Sequence, residues 1–239
     1  MPLPKISTPT YELVLPSSGK KVKYRPFLVK EEKILIMALE SEDTKQITSA
    51  IKSVLSDCIL SRGIKIDKLA TFDIEYLFLN VRGKSVGETV EVNVTCPDDG
   101  QTKVEMVIDI DSIKIQKDSN HSNIIKLDDS LSVQMNYPSL DQFIETNFDT
   151  SNNSQVDESL NVIMSCIKQV YNEEEAWEAS NCTKKELREF VESMNSKQFK
   201  QVENFFETMP KLSHKVKVMN PNTKVESEVV IEGLASFFS

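Results

Sequence analysis

Three stretches of the chain alternate between hydrophobic and polar residues on both sides of a short polar turn. Alternation with a period of two places every second side chain on the same face, which is typical of a strand with one buried side. A turn rich in Pro, Gly, Asn or Asp between two such strands predicts a β-hairpin. The predicted hairpins are residues 11–24 with the turn 16–19, residues 88–110 with the turn 96–100, and residues 214–232 with the turn 220–223.

Apolar residues spaced three or four apart predict helices between the hairpins. We expect Gly63 to cap the C-terminus of the second helix, and Thr71 or Asp73 to be the N-cap of the third. Thr183 and Glu186 form a capping-box pattern, which predicts a helix from residue 183. Counting the second and third helices, the predicted helices besides the one at 183 are residues 30–40, 44–62, 71–87, 139–148, 156–171 and 196–208. A flexible loop is predicted at 149–155, and short strands are predicted at 113–115, 124–127 and 131–135.

Helices and strands that occur in separate blocks along a chain are typical of an α+β fold. We predict this class, with an N-terminal hairpin, a helical unit, antiparallel hairpins, C-terminal helices and a final hairpin. The predicted parts are an N-terminal hairpin plus helical unit at 1–87, a β-rich hairpin region at 88–148, and a helical region ending in a hairpin at 149–239.

The second and third hairpins are built to the same plan. Each consists of an alternating strand, an X-Pro dipeptide (Cys96-Pro97 or Asn220-Pro221) with further polar residues, and a returning strand. This similarity is consistent with a duplicated element, with strands paired in one sheet, or with the chance likeness of two alternating hairpins.

The amino-acid composition of the chain excludes several classes of function and location. The 239 residues include 28 Lys+Arg and 37 Asp+Glu, which gives a net charge of −9. This acidic balance argues against a nucleic-acid partner, because such binding depends on neutralising phosphates. No apolar run reaches the roughly 20 residues that cross a bilayer, and the N-terminal segment does not have the apolar stretch of a signal peptide. We expect a cytoplasmic location, no membrane partner, and four cysteines that stay reduced.

The candidate catalytic and phosphate-binding motifs in the sequence are incomplete. The tripeptide 83–85, Gly-Lys-Ser, could close a phosphate-binding loop, but Phe78 stands where that motif needs its first glycine. We interpret the tripeptide as a helix end with a basic residue. The two histidines, His121 and His214, lie outside any nucleophile motif. We therefore expect a protein that is not an enzyme and that takes no small-molecule substrate.

A zinc site is also incomplete. Residues 96–100, Cys-Pro-Asp-Asp-Gly, form half of a zinc knuckle in which Asp99 replaces the second cysteine. Structural zinc requires four nitrogen or sulfur ligands, and the matching turn at 220–223 contains no cysteine. We expect no metal and no other cofactor.

Two features are candidate partner-binding sites. Lys21, Lys23 and Arg25 alternate along the second strand of the first hairpin, so they share one face and either bind an acidic partner or form an ordinary solvated surface. The C-terminal pair Phe237 and Phe238 either packs on its own hairpin or inserts into another chain.

Three segments resemble the T4-like phage baseplate protein family: residues 8–33, residues 72–88 and the turn 96–100. The resemblance covers about residues 5–140, and the rest of the chain is similar more loosely. It implies a non-enzymatic baseplate hub subunit that acts in hub assembly by protein–protein contacts, with other hub or tail proteins as partners. The alternative is a hub assembly chaperone that is released before virion maturation. The implied location is the host cell cytoplasm during assembly, with the virion tail baseplate as the destination of a retained subunit. Some relatives carry CxxC pairs at such turns, and this chain does not.

Overall fold

A computed structural model describes residues 6–41, 43–139 and 155–233. These residues form a mixed α+β fold, which confirms the predicted class. The helices are Val29–Glu40 (α1), Thr44–Cys58 (α2), Thr71–Val86 (α3), Gln155–Cys166 (α4), Lys184–Glu192 (α5) and Ser196–Thr208 (α6). The strands are Tyr11–Val14 (β1), Lys21–Tyr24 (β2), Thr89–Thr95 (β3), Lys103–Asp109 (β4), Lys114–Gln116 (β5), Ile124–Lys126 (β6), Ser132–Met135 (β7), Ile167–Tyr171 (β8), Ala176–Glu178 (β9), Lys211–Met219 (β10) and Glu226–Glu232 (β11).

The chain divides into two compact units. Of the described residues, unit 1 contains those up to 116 together with those from 211, and unit 2 contains those between 117 and 210. These bounds differ from the three predicted parts because β10 returns to pair with β5, which places Leu212 opposite Ile115. Alternation along a strand predicts that a strand forms, whereas the choice of a distant partner depends on contacts that alternation does not encode.

One buried cluster of unit 1 lies between two hairpins and helix α3. β3 pairs with β4 in one antiparallel sheet, and β10 pairs with both β11 and β5 in another. One side of each hairpin contributes to a single cluster of buried side chains, in which Leu79 of α3 also takes part. The strand residues of the cluster include Val90, Val92, Val94, Ile108, Leu212, Val216, Val218 and Ile231. The predicted alternation of both hairpins is therefore confirmed.

Helix α2 ends four residues before the predicted position. Its last residue is Cys58, and Ile59 already forms an antiparallel bridge with Tyr24 of β2. The Leu60 N–H donates to the Lys23 carbonyl at 2.8 Å, so the backbone leaves the helix to extend the first hairpin. Gly63 therefore does not cap this helix, although its φ of 82° fits the turn that follows.

The predicted start of α3 is also corrected. Ala70 is the N-cap, and Thr71 is the first helical residue. Asp73 is fully buried, and its carboxylate accepts a hydrogen bond of 3.0 Å from the Ser17 N–H in the turn of the first hairpin. The side chain thus joins two elements instead of capping its own helix.

Unit 2 contains a four-stranded antiparallel sheet in the order β6–β7–β8–β9, packed with α4, α5 and α6. The sequence predicts one helix over 156–171, and this prediction is wrong beyond Cys166, where β8 begins. The spacing of Ile167 and Val170 suits a helix face, but Val170 pairs with Val133 on one side and Trp177 on the other. Two flanking strands and β-branched side chains favour the extended form.

Two further predictions concern local signals in this half of the chain. The capping box is confirmed, because the Glu186 N–H donates to Thr183 Oγ1 at 3.2 Å and the Thr183 N–H donates to the Glu186 carboxylate at 2.7 Å. Of the predicted helix 139–148 and loop 149–155, residues 140–154 lie outside the described residues.

Candidate functional site

The basic strand of the first hairpin presents two lysines to solvent. β2 buries Val22 and Tyr24 and exposes Lys21 and Lys23, as alternation predicts. Lys23 Nζ lies 3.2 Å from Glu12 Oε1 on the neighbouring strand, and both side chains are more than half exposed. An exposed pair of this kind stabilises a protein by less than about 1 kcal/mol, so both lysines remain accessible to a partner.

Arg25 lies in an internal network instead. Its Nη2 atom is 2.8 Å from Oε1 of Glu31, whose side chain is fully buried, and Lys30 Nζ is 3.1 Å from the same oxygen. The second carboxylate oxygen accepts a bond of 2.7 Å from the Leu28 N–H at the start of α1. Burial alone would raise the pKa of Glu31, but the hydrogen bonds from Arg25, Leu28 and Lys30 outweigh it and lower the pKa to about 2. Arg25 therefore connects the first hairpin to α1.

Hydrogen bonds join the turns of the second and third hairpins, which are separated in sequence by about half of the chain. Asn220 is fully buried, and its Nδ2 donates to Asp98 Oδ1 and Oδ2 at 3.0 Å and to Asp99 Oδ2 at 2.9 Å. Thr223 Oγ1 donates to Asp98, and Asn222 Nδ2 donates to Thr102 Oγ1 at 3.0 Å. We call this set of contacts the turn clasp. It shows that the two similar hairpins meet at their turns.

The turn clasp also fixes the charge state of its carboxylates. Hydrogen bonds from Thr102, from backbone N–H groups and from Asn220 hold the pKa of Asp99 well below its usual range. Bonds from Thr223 and Asn220 lower the pKa of Asp98. An amide and a hydroxyl donor of the 220–223 turn therefore face the acidic turn 96–100.

The incomplete zinc knuckle contributes its cysteine to the core. Cys96 is fully buried within the cluster of unit 1, and burial raises the pKa of its thiol. Metal ligation requires the thiolate, which this environment disfavours. Among residues 6–41, 43–139 and 155–233, no group of three or more His, Cys, Asp or Glu side chains could hold a metal ion.

Two further thiols, those of Cys58 and Cys166, are also unsuited to nucleophilic chemistry. Cys58 and Cys166 are fully buried, and burial raises the pKa of each to about 11. A thiol with this pKa is protonated at neutral pH, so the reactive thiolate is scarce. Cys182 is partly exposed on the surface of unit 2.

His121 is packed inside unit 2, against Tyr137 and Phe205. Thr208 Oγ1 donates its only hydrogen to the Asn204 carbonyl at 2.7 Å, so it accepts from His121 Nδ1 at 2.9 Å. His121 Nε2, 3.1 Å from the Tyr137 hydroxyl, is then the acceptor in the neutral ring. Both ring nitrogens are engaged by hydroxyl groups of the fold.

A pH dependence follows from the position of His121. Burial lowers its pKa below the ordinary 6.5, while Asp118 opposes the shift. A depressed folded-state pKa means that the unfolded chain binds the proton more readily. We expect the unfolding temperature of unit 2 to fall as the pH drops below about 6.5, measured by calorimetry. His121→Gln should flatten this dependence, and a slope equal to that of the native protein would contradict the assignment.

The outer side of α1 exposes apolar surface that helical periodicity alone does not predict. Val29, Ile36 and Met37 are 80%, 49% and 59% exposed, and only Leu35 and Ala38 among the apolar residues of the helix are buried. The run 34–39, Ile-Leu-Ile-Met-Ala-Leu, was a signal of this surface, because an ordinary half-buried helix has an apolar stripe and not a continuous apolar run.

A groove opens beside this helix. It has a volume of about 300 Å³ and lies between α1, α2 and α3. Apolar side chains line most of it, and they include Ile36, Leu39, Ile47, Ile51, Phe78 and Val86. We call it the α1 groove.

A second groove, of about 420 Å³, lies in unit 2 along α6. Lys197 and Lys200 give its wall a positive charge, and Asn120, Ser122 and Asn204 add neutral polar groups. The lining residues include no carboxylate, thiol or imidazole, so the lining supplies no acid–base pair.

The described residues therefore form an α+β protein of two units. Its accessible features described above are the basic strand, the exposed side of α1 and the two grooves. The remaining predicted site residues, Phe237 and Phe238, lie outside the described part of the chain. Within that part, no helix is both long enough and apolar enough to cross a membrane.

Comparison with known proteins identifies the family. The family model described as T4 bacteriophage base plate protein matches residues 8–239, and the chain belongs to this family. It is thus a T4-like baseplate protein, whose family indicates the virion tail as its location and other phage baseplate proteins as its partners. Neither a curated protein nor a solved structure shows significant similarity to the chain.

Proposed function

We propose that this protein is a non-enzymatic subunit of the baseplate hub and that it acts in hub assembly through protein–protein contacts. The observation that carries this proposal is the family match over residues 8–239. The partners are other hub or tail proteins, with no nucleic acid, membrane or small molecule involved.

Two accessible features of unit 1 support a role in binding proteins. Lys21 and Lys23 form a basic strand face suited to an acidic partner surface. Val29 and Met37 expose apolar area on α1, and exposed apolar area of this kind is typical of protein interaction sites. The C-terminal Phe237 and Phe238 are a third proposed contact with hub proteins.

The chemistry of the described side chains supports a role without catalysis. Cys58 and Cys166 are buried with raised pKa values, and the imidazole of His121 is bonded to two hydroxyl groups. Nucleophilic catalysis needs an accessible nucleophile beside a base.

A chaperone that assembles the hub and is then released is the second candidate. The net charge of −9 favours it, because a strongly charged protein stays soluble when it is not incorporated into an assembly. Such a protein works in the host cytoplasm and is absent from mature particles.

Quantitative mass spectrometry of purified virions tests the proposal. A hub subunit should occur at a fixed, whole-number ratio to other baseplate proteins, whereas a released chaperone should be missing from virions yet bind hub proteins in infected-cell lysates. Absence from virions together with no hub protein in the lysate complexes would overturn both candidates.

The basic strand can be tested in the same lysates. Lys21→Glu/Lys23→Glu should reduce recovery of the hub partner about tenfold or more, since charge reversal at an interface costs several kcal/mol. Lys215→Glu/Lys217→Glu is the matched control, because these exposed lysines pair with glutamates on a neighbouring strand as Lys23 does, and the change in charge is equal. Equal recovery with both variants would remove the basic strand from the interface.

A further inference from the structure

The outer side of α1 combines exposed apolar side chains with one positive and one negative charge. Five exposed residues at helical spacing share this side: Val29, Lys33, Ile36, Met37 and Glu40. We call them the α1 face. Val29 and Met37 each expose more than half of their side-chain surface, so the apolar part of the face is open to contact with another molecule.

The two charges of the α1 face have no partner within the described part of the chain. The side chains of Lys33 and Glu40 form no hydrogen bond or ion pair with another described residue, whereas Lys30 of the same helix lies 3.1 Å from Glu31. Glu40 is also in the last turn of α1, where the helix dipole disfavours a negative charge. The half-buried Glu32 lines the α1 groove and lies beside the face. Lys33 and Glu40 are therefore available for ion pairs with a second molecule.

The two charges lie symmetrically about the apolar centre of the face. The midpoint between residues 33 and 40 falls between Ile36 and Met37, about 5 Å along the helix from each charged residue. A two-fold axis through this midpoint, perpendicular to α1, brings Lys33 of each copy beside Glu40 of the other. The same axis brings Ile36 of each copy beside Met37 of the other. The face is thus complementary to itself when the helices are antiparallel, whereas parallel helices would bring Lys33 to Lys33.

We propose that the α1 face binds the α1 face of a second copy of this chain, with antiparallel helices and two Lys33–Glu40 ion pairs around Ile36 and Met37. The apolar centre supplies most of the affinity, and the ion pairs select the antiparallel arrangement. A helix of 12 residues is about 18 Å long, so the contact is smaller than a standard interface. We therefore expect a dissociation constant of roughly 1–100 µM. This inference does not depend on the role of the protein in hub assembly.

Sedimentation velocity of the full-length protein, from about 1 to 500 µM, measures this association. The average mass should rise with concentration towards that of a dimer. Ile36→Glu removes apolar contact and brings two carboxylates together near the axis, so it should weaken the dimer about tenfold or more. Val230→Glu on β11 is the control, because Val230 is 46% exposed and Ile36 is 49% exposed. Both variants should keep an unfolding temperature close to that of the native protein, since neither side chain is buried.

Exchange of the two charges tests the antiparallel arrangement. Lys33→Glu alone and Glu40→Lys alone each turn two attractive pairs into two repulsive pairs, so each should weaken the dimer about tenfold. The double variant Lys33→Glu/Glu40→Lys should bind itself about as well as the native protein, because both pairs are attractive again. A mixture of the two single variants should form a heterodimer, since every pair between the copies then joins opposite charges.

Three results would overturn the proposal. The first is a monomer over the whole concentration range. The second is equal association of Ile36→Glu and Val230→Glu, or a mixture of the single charge variants that associates no better than either variant alone. The third is a monomeric protein that loses a hub partner from infected-cell lysates through Ile36→Glu and keeps it with Val230→Glu, because that result would assign the α1 face to the hub partner.

Discussion

Replacing Glu31 by alanine is expected to lower the free energy of unfolding of unit 1 by about 3 kcal/mol. The carboxylate is fully buried and accepts bonds from Arg25, Lys30 and the Leu28 N–H. Its removal leaves the largely buried guanidinium of Arg25 without its carboxylate and the start of α1 without its cap. Chemical denaturation would show the loss, and Glu40→Gln at the exposed end of the same helix is the control.

The same network predicts an acid transition. The pKa of Glu31 falls from its ordinary 4.5 to about 2, so its contribution to stability is complete above about 4.5 and is lost as the pH falls towards 2. Glu31→Gln should show a shallower loss of stability in this window than the native protein. The double variant Arg25→Met/Glu31→Leu should be less destabilised than the sum of its single changes. Additive losses would show that the two side chains act independently.

Asn220→Ala is expected to have the second largest effect, about 2–3 kcal/mol. The fully buried amide donates to Asp98 and Asp99, and its oxygen accepts from the Asn222 N–H at 2.9 Å. Alanine removes all of these bonds at a fully buried position, although Asp98 keeps its bond from Thr223 and Asp99 keeps its bonds from Thr102. Thermal unfolding should move down by about 4–12 °C.

Two comparisons make this test specific for the turn clasp. Asn220→Asp keeps the shape of the side chain but brings a third carboxylate to Asp98 and Asp99, so it should destabilise more than alanine at neutral pH. Asn222→Ala removes one exposed bond to Thr102 and should cost much less. If Asn220→Asp were as stable as the native protein, the hydrogen-bond assignment of the amide would be wrong.

The hairpins and most helices could be predicted because their signals are local. Val90, Val92 and Val94 alternate with polar residues, and the structure buries all three. The capping box at Thr183 is a four-residue pattern. The end of α4 could not be predicted in this way, since β8 is extended through pairing with β7 and β9.

The contacts of the candidate sites depend on residues that are distant in sequence. Alternation predicts that Lys21, Lys23 and Arg25 share a face, but it does not show that Arg25 reaches the buried Glu31. The likeness of the two X-Pro turns indicates related hairpins, whereas the bond between Asn220 and Asp98 spans 122 positions. Short-range patterns contain no information about such partners.

The discontinuous chain of unit 1 has a consequence for protein synthesis. β5 ends at Gln116 and its partner β10 begins at Lys211, so the whole of unit 2 is made between them. Until the last hairpin has been synthesised, β10 cannot pack on the apolar face of β3, and the hydrogen bonds of the turn clasp cannot form. Unit 2 is therefore free to fold first, and a nascent chain stalled before residue 211 presents an apolar face that chaperones and proteases recognise.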